Sequence, residues 1–481
     1  MAAEKRLGNR ADLNIAFVNK VAAIVEKSFP GIALETFAYQ FTLESPRTVR
    51  PARNVKIRVC LIEANAARPM EDASNMAYYN CIKGWCAISD NVNIWNYVVN
   101  FTNAPMAHAG IATIVKDLRL FQRFGVKDIF CEDFGGCGHL GWFVVYRYNL
   151  LTRMMVNPNL DEQSYRLQFF HEYYGPSAEQ MLNLFNLFET AMGSAPKATT
   201  CYQFDTSHWL NAQTLAKGDN FLAQAESQAT PGSNYAKRVA LIRLAFDWTK
   251  IWRHENTVLH KVTQTQKVVS DEWIKNIRAG LEERIKNTPR TPGWIGFYTR
   301  LGMKYQDHLK ILDGYLAPEP PFEHLPEQFK NVQQDDLIIL PQARYSVASG
   351  QKEVKDYKMP ADEVTRLSLY GYTWAMRVDL PTLLANNKWD IFVEMRFPDK
   401  ISAPGGIVAK AGVYAYGTNF AIKTEFPVNA DILSKEHYTL VSLGSTDFSR
   451  DGQIYIAANK NSTVPELLIG RIFLRRIKQQ K

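Results

Sequence analysis

Three carboxylates stand where acid–base chemistry would use them. Glu63 follows the apolar run Val59-Cys-Leu-Ile62, and Glu132 and Asp133 close the run Gly125-Val-Lys-Asp-Ile-Phe-Cys131. A carboxyl at the exit of a buried strand is desolvated. Desolvation favours its neutral form, which a general acid needs. Two carboxylates facing each other across a sugar are the machinery of glycoside hydrolysis. Neighbours on a strand face opposite sides, so at most one of Glu132 and Asp133 points into a shared site. Around these acids lie rings and amides: Tyr39, Gln40, Asn65, Trp95, Asn96, Tyr97 and Trp142. Flat rings with polar edges suit sugar faces, and amides can hold hydroxyls. Glu63 can equally be read as paired with Arg68, and any single ring as core packing.

Positioning these groups needs parallel strands that end together. Residues 12–28 carry an apolar stripe of Ile15, Val18, Ala22 and Val25 that reads as a helix, stopped at Pro30-Gly31. Residues 33–41 and 54–63 read as strands, 74–88 as a short helix, 91–101 as a strand and 111–124 as an amphipathic helix. The run to Glu132 is a fourth strand. Each strand ends in polar or aromatic residues, the mark of the rim where α/β folds bind ligands. Strand–helix alternation predicts a parallel β/α architecture. Four strands are half of an eight-stranded barrel, and the chain opens on a helix with no strand before it. We therefore expect residues 1–150 to be the second half of a TIM (β/α)8-type barrel. The missing half would come from an upstream segment or from another copy of the chain.

Beyond the glycine-rich stretch Gly135–Gly141 the pattern turns helical. Helices are expected at 140–155, 160–173, 176–192, 208–227, 234–254, 270–286 and 295–312, giving a helical domain over 151–316. The stretch Leu316–Glu327 holds four prolines and reads as a linker. After it the period shortens. Strands are expected at 336–340, 366–370, 373–378, 389–397, 407–416, 438–443, 453–457 and 466–477. They predict an all-β domain over 328–481, a jelly-roll-like β-sandwich with a capacity to bind carbohydrate. The fold class is thus multidomain: α/β, then all-α, then all-β.

Composition narrows the function classes. The 481 residues are 46% apolar and 22% charged, with a net charge of +8, as in an ordinary globular protein. No Lys/Arg block with interleaved aromatics precedes the basic tail Arg471–Lys481, so nucleic acid is not expected as a partner. No apolar run approaches a membrane span, and Met1–Arg10 has no signal-peptide core. Six cysteines without C-x-x-C spacing read as buried thiols. No metal site and no cofactor is expected. The Gly135–Gly141 loop lacks the spacing of a phosphate cradle, and His108 and His139 are isolated histidines.

Several stretches together resemble one family. They are Phe17-Val-Asn-Lys-Val-Ala22, Phe37-Ala-Tyr-Gln-Phe-Thr42, Val59–Glu63, Gly84-Trp-Cys-Ala-Ile-Ser89, Ile94–Phe101, Gly125–Phe130 and Glu172–Ala178. They are similar to the bacterial domain of unknown function 4838, over roughly residues 10–190. That resemblance implies a glycosidase-like TIM barrel, similar to α-glucuronidases and β-hexosaminidases, in secreted or periplasmic proteins. Glu63 matches the family's residue. Asn96 stands where relatives often carry Asp, and Cys131 where they carry Glu. The function expected is glycoside hydrolysis of a complex polysaccharide, an acidic one included. Glu63 would act with Glu132 or Asp133 as catalytic residues, and Tyr39, Gln40, Asn65, Trp95, Asn96, Tyr97 and Trp142 would bind substrate. The alternative is a glycan-binding or structural protein without catalysis.

Overall fold

The computed structural model describes residues 8–478 except 102, 109, 134–140, 203–205, 207, 256–270, 288–297, 301–302, 305, 307–321, 341, 343–344, 348–351, 357, 360–362, 370–374, 381–386, 399–405, 416–420, 448–451 and 459–465. The chain divides into two compact units, residues 1–249 with 281–302, and residues 250–280 with 303–481.

The first unit opens on helix α1 (Arg10–Ser28). Asn9 caps it: its Oδ1 accepts the Asp12 N–H, and Asp12 Oδ2 accepts the Asn9 N–H, both at 2.9 Å. The same Asp12 carboxylate also accepts backbone N–H groups from Arg47, Thr48 and Val49 and the Thr48 hydroxyl. One residue so ties the helix start to a loop more than thirty residues away. Burial alone would raise the Asp12 carboxyl, but these hydrogen bonds outweigh it and hold its pKa down at about 2. A depressed carboxylate contributes stability above its ordinary pKa and loses it as pH falls. Wild-type protein should therefore lose about 2 kcal/mol between pH 5 and pH 2 from this group. Asp12→Asn should flatten that part of a urea-denaturation pH profile, and an unchanged profile would reject the assignment.

Four strands follow: β1 (Leu34–Ala38), β2 (Val55–Cys60), β3 (Val92–Tyr97) and β4 (Asp128–Glu132). They pair in parallel in the order β1-β2-β3-β4. Between them lie α2 (Met76–Cys86) and α3 (Ile111–Arg123). One face of the sheet carries Val55, Ile57, Val59, Val92 and Ile94, all buried. The other carries Phe37, Trp95 and Phe130, with an ion-pair chain in which Arg58 bridges Glu35 and Asp128. Phe37 is 48% and Phe130 45% exposed.

Helices α4 (Val144–Val156), α5 (Glu162–Tyr174), α6 (Ala178–Gly193) and α7 (Ala212–Gln228) belong to the same unit. Helices α8 (Asn234–Glu255) and α9 (Asp271–Lys286) follow. Of the helix expected over 295–312, Gln306 is helical and residues 295–297, 301–302, 305 and 307–312 lie outside the described residues. Among its described residues, β5 (Tyr298–Arg300) and β6 (Met303–Lys304) are extended.

The second unit holds two antiparallel sheets. The first is built from β7 (Leu337–Leu340), β9 (Lys352–Lys355), β10 (Glu363–Ser368), β12 (Lys388–Arg396), β15 (Thr439–Asp447) and β17 (Glu466–Ile477). Its order is β15-β12-β17-β10-β9, with β7 also on β17. The second runs β14-β13-β16-β11-β8. Its strands are β8 (Ser346–Val347), β11 (Met376–Leu380), β13 (Ile407–Ala415), β14 (Ala421–Asn429) and β16 (Gly452–Ala458). Alternate residues from both sheets meet in one core: Trp389, Ile391, Val393 and Met395 from the first, Ala411, Val413, Ile454 and Ile456 from the second. This is the period-2 burial of a two-layer β fold. Of the expected linker, residues 316–321 lie outside the described residues.

Candidate functional site

The C-terminal ends of the parallel strands gather one cluster. Trp95 on β3 donates its indole N–H to Glu132 Oε2 at 2.8 Å. The ring of Trp95 packs edge-on against Phe130 at 4.9 Å, tilted against Phe37 at 5.7 Å and stacked on Tyr97 at 6.2 Å. Register explains the company. Trp95 pairs with Cys60 and Phe130, and Tyr97 with Glu132, so all five share one face. Tyr97 continues to Phe101 at 6.1 Å, and Phe101 to Tyr202 at 5.4 Å.

Two carboxylates act on this cluster. Burial raises the Tyr39 hydroxyl, and the charge of Glu63 adds to the rise. Burial raises Tyr97, with Cys60, Tyr39 and Glu132 adding. Tyr202 is lifted to about 12 by burial, then by Cys201, Tyr39 and Glu132. Cys60 is pushed up to about 11 by burial. The buried Cys201 thiol is raised by desolvation and feels both Glu132 and Glu63. Its sulfur lies 3.0 Å from the Ile62 carbonyl oxygen. These thiols are neutral packing groups, not nucleophiles.

The expected site residues therefore part company. Tyr39, Trp95, Tyr97 and Glu132 belong to the cluster, and the charge of the exposed Glu63 reaches Tyr39 and Cys201 at its edge. Gln40 is exposed beside it, with its amide 3.4 Å from the Tyr39 hydroxyl. Glu63 does not end a buried strand. Strand β2 stops at Cys60, the chain turns with the Ala64 N–H on the Leu61 carbonyl, and Glu63 is exposed. Its backbone N–H donates to the Tyr78 hydroxyl at 3.1 Å. Asp133 turns away from the cluster into a buried ion pair with Arg147 of α4. Asn96 faces the opposite side of β3 from Trp95, and its Oδ1 accepts the Tyr97 N–H. Asn65 is buried and stitches loops together, with its Oδ1 taking N–H groups from Ala67 and Thr199. Trp142 is 1% exposed, packed among Phe143, Phe188 and Phe246, so it is a core ring. The Gly135–Gly141 loop and His139 lie outside the described residues, apart from Gly141. Phe101 joins the site as an aromatic just after a strand end, whereas Cys201 and Tyr202 join it without any sequence signal, because a loop brings Cys201 back beside the chain after β3 through the Phe101 N–H on its carbonyl at 2.7 Å.

Behind the cluster, α3 begins at Gly110, whose φ is +103°. The buried Glu189 carboxylate accepts the N–H groups of Gly110, Ile111 and Ala112 and caps the helix. Burial pushes its pKa up to about 7 against those bonds. A Cβ on Gly110 would stand 2.3 Å from the Ala66 carbonyl oxygen. Gly110→Ala should destabilise by at least about 2 kcal/mol. A melting temperature equal to wild type would refute this packing.

Among the described residues no group of three His, Cys, Asp or Glu side chains is placed to hold a metal ion. No described helix is long and apolar enough to cross a membrane.

Residues 1–186 match the family described as Domain of unknown function (DUF4838). No curated protein matches the chain. The C-terminal sheets are similar to xylan-binding domains of known structure. The CBM22-1 xylan-binding domain of Paenibacillus barcinonensis Xyn10C is 15% identical, with a TM-score of 0.23 and coverage of 29% of this chain and 89% of that one. The C-terminal family 22 carbohydrate binding module of Clostridium thermocellum Xyn10B is 10% identical, with a TM-score of 0.22 and coverage of 29% and 89%. The xylan-binding module CBM15 is 12% identical, with a TM-score of 0.20 and coverage of 30% and 98%. At these TM-scores the likenesses assign no ligand to this chain.

Proposed function

We propose that the first unit is a glycoside-hydrolase-like module acting on a polysaccharide at the C-terminal rim of its parallel sheet. Glu132 and Glu63 are its paired carboxylates, and Trp95, Tyr97 and Tyr39 are its sugar-facing rings. What supports the reading is that Glu63, in the exposed turn after β2, and Glu132, at the end of β4, lie near enough to the aromatic cluster for both charges to reach Cys201 beside it. Their roles are those of acid and base in glycosidic bond cleavage. The open face with Phe37 and Phe130 exposed supports a half-barrel reading, since parallel sheets are normally covered on both faces. The other half then comes from an upstream segment or a second copy. The sandwich is the glycan-anchoring part.

The second reading is binding without cleavage. It is favoured by the indole N–H that engages one oxygen of Glu132. The two are separated by incubating the full chain with a panel of plant and bacterial oligosaccharides and following reducing ends by mass spectrometry. Products from at least one substrate support hydrolysis. Retention on a glycan array without products supports binding, and neither result would reject both.

A further inference from the structure

A concavity opens at the end of β3, lined by Asn96 from the side opposite Trp95 and by Tyr97 from the same side as Trp95, since side chains alternate along a strand. It is a cleft walled by the chain after β2, the first turns of α3 and Arg147. Its floor is apolar, with Leu61, Ile62 and Ile114. Two of its polar residues are incompletely satisfied. His108 and Arg147 are only 5% and 6% exposed, yet His108 Nδ1 and Arg147 Nε find no hydrogen-bond partner among the described residues. Leaving such a group unmet costs about 1–3 kcal/mol, and in native proteins it marks a position that water or a ligand fills.

The charge on the walls restricts the ligand. The Arg147 guanidinium already pairs with Asp133, so its Nε offers a hydrogen-bond donor rather than an unmet cation. Asp117 also lines the cleft, and its Oδ1 accepts the Met70 N–H at 2.7 Å. A ligand carboxylate would meet Asp117 inside the cleft and the Glu189 carboxylate behind Gly110. Mixed donors and acceptors over an apolar floor complement hydroxyls on a ring, each of which both donates and accepts.

We propose that this cleft binds one neutral sugar ring, with its hydroxyls on Asn96, His108 and Arg147. The carbohydrate reading above supplies the class of ligand. The site itself centres on Asn96, His108 and Arg147 and borders the Trp95–Glu132 cluster at Tyr97 and Cys201.

The test is calorimetric titration of the full chain with xylose, glucose, galactose, N-acetylglucosamine and glucuronate. One neutral sugar should bind saturably. Asn96→Leu, at the strand end, and His108→Phe, in the wall, should each weaken it roughly tenfold or more. Ile24→Ala, on the exposed face of α1, should leave it within about twofold. Should His108→Phe fail to fold, Asn96→Leu decides. Saturation by none of the neutral sugars, or preference for glucuronate, overturns the proposal. Loss in Trp95→Ala with none in Asn96→Leu also overturns it, while leaving the carbohydrate reading standing. Cleavage of oligosaccharides without monosaccharide binding sinks this proposal alone.

Discussion

Glu132→Gln is expected to lower kcat/KM on any oligosaccharide the protein cleaves by roughly a hundred- to ten-thousand-fold. The amide has the shape of the carboxylate, so its oxygen can still accept the Trp95 indole N–H that lies 2.8 Å from Glu132 Oε2. What it cannot do is take or give the proton. The aromatic cluster should keep its packing, and substrate affinity should change by less than about threefold, because removing a group that acts only in the transition state lowers kcat rather than binding. Glu63→Gln should lose activity on the same scale. Glu63 sits in an exposed turn, so its replacement should leave the melting temperature unchanged. Steady-state kinetics with each variant, alongside circular dichroism, give the answer. A Glu132→Gln enzyme that retains most of its activity removes Glu132 from the chemistry. Equal loss of binding and turnover would instead make it a substrate-holding residue.

Much of the frame could be read from residue pattern. Strand β17 was expected over 466–477 and forms over Glu466–Ile477, because its apolar run has the length and β-branched content of a buried strand. Its internal break was not legible. At Gly470–Arg471 the register against β12 slips, so the core-facing residues change phase from Leu467 and Ile469 to Ile472 and Leu474. Arg471 then forks onto Glu394 through Nε at 2.9 Å and a terminal nitrogen at 2.8 Å. Strand β14 was missed because Pro427 sits inside it. Proline is tolerated there because β14 is an edge strand, where a missing N–H breaks no ladder. In the candidate site, strand ends were legible but directions were not. The run Val59–Ile62 looked like a strand reaching Glu63, yet the chain turns after Cys60. Trp142 had the composition of a ligand-facing ring and the surroundings of a core ring, a difference only packing decides. The Asp133–Arg147 pair joins a strand end to a helix fourteen residues on, and no periodicity announces it.

That ion pair carries the largest expected stability effect. Arg147 is almost wholly buried, and Asp133 is its ion-pair partner. The Tyr148 side chain bonds the same carboxylate. Asp133→Ala leaves a guanidinium in the interior without its counter-ion and should cost about 3–5 kcal/mol. Replacing both, as Asp133→Ala with Arg147→Met, removes the charges together and should cost far less than the sum of the single changes. The neighbouring His108 supplies an independent readout. Burial first, and then the Arg147 charge, lower its pKa to about 4, with Asp133 opposing them. A histidine held below its ordinary value contributes stability above about pH 6.5 and loses it as pH falls towards 4. Arg147→Met removes a cation that disfavours the imidazolium and leaves the carboxylate that favours it. That variant should therefore lose less stability than wild type between pH 7 and pH 5, although it starts lower at pH 7. Asp133→Ala should lose about as much as wild type, because His108 with a pKa of about 4 is already almost wholly neutral at pH 5. Urea denaturation of the four proteins at the two pH values completes the cycle. If Asp133→Ala costs less than about 1 kcal/mol at pH 7, or the two single variants respond to pH alike, the buried pair does not hold this corner of the fold together.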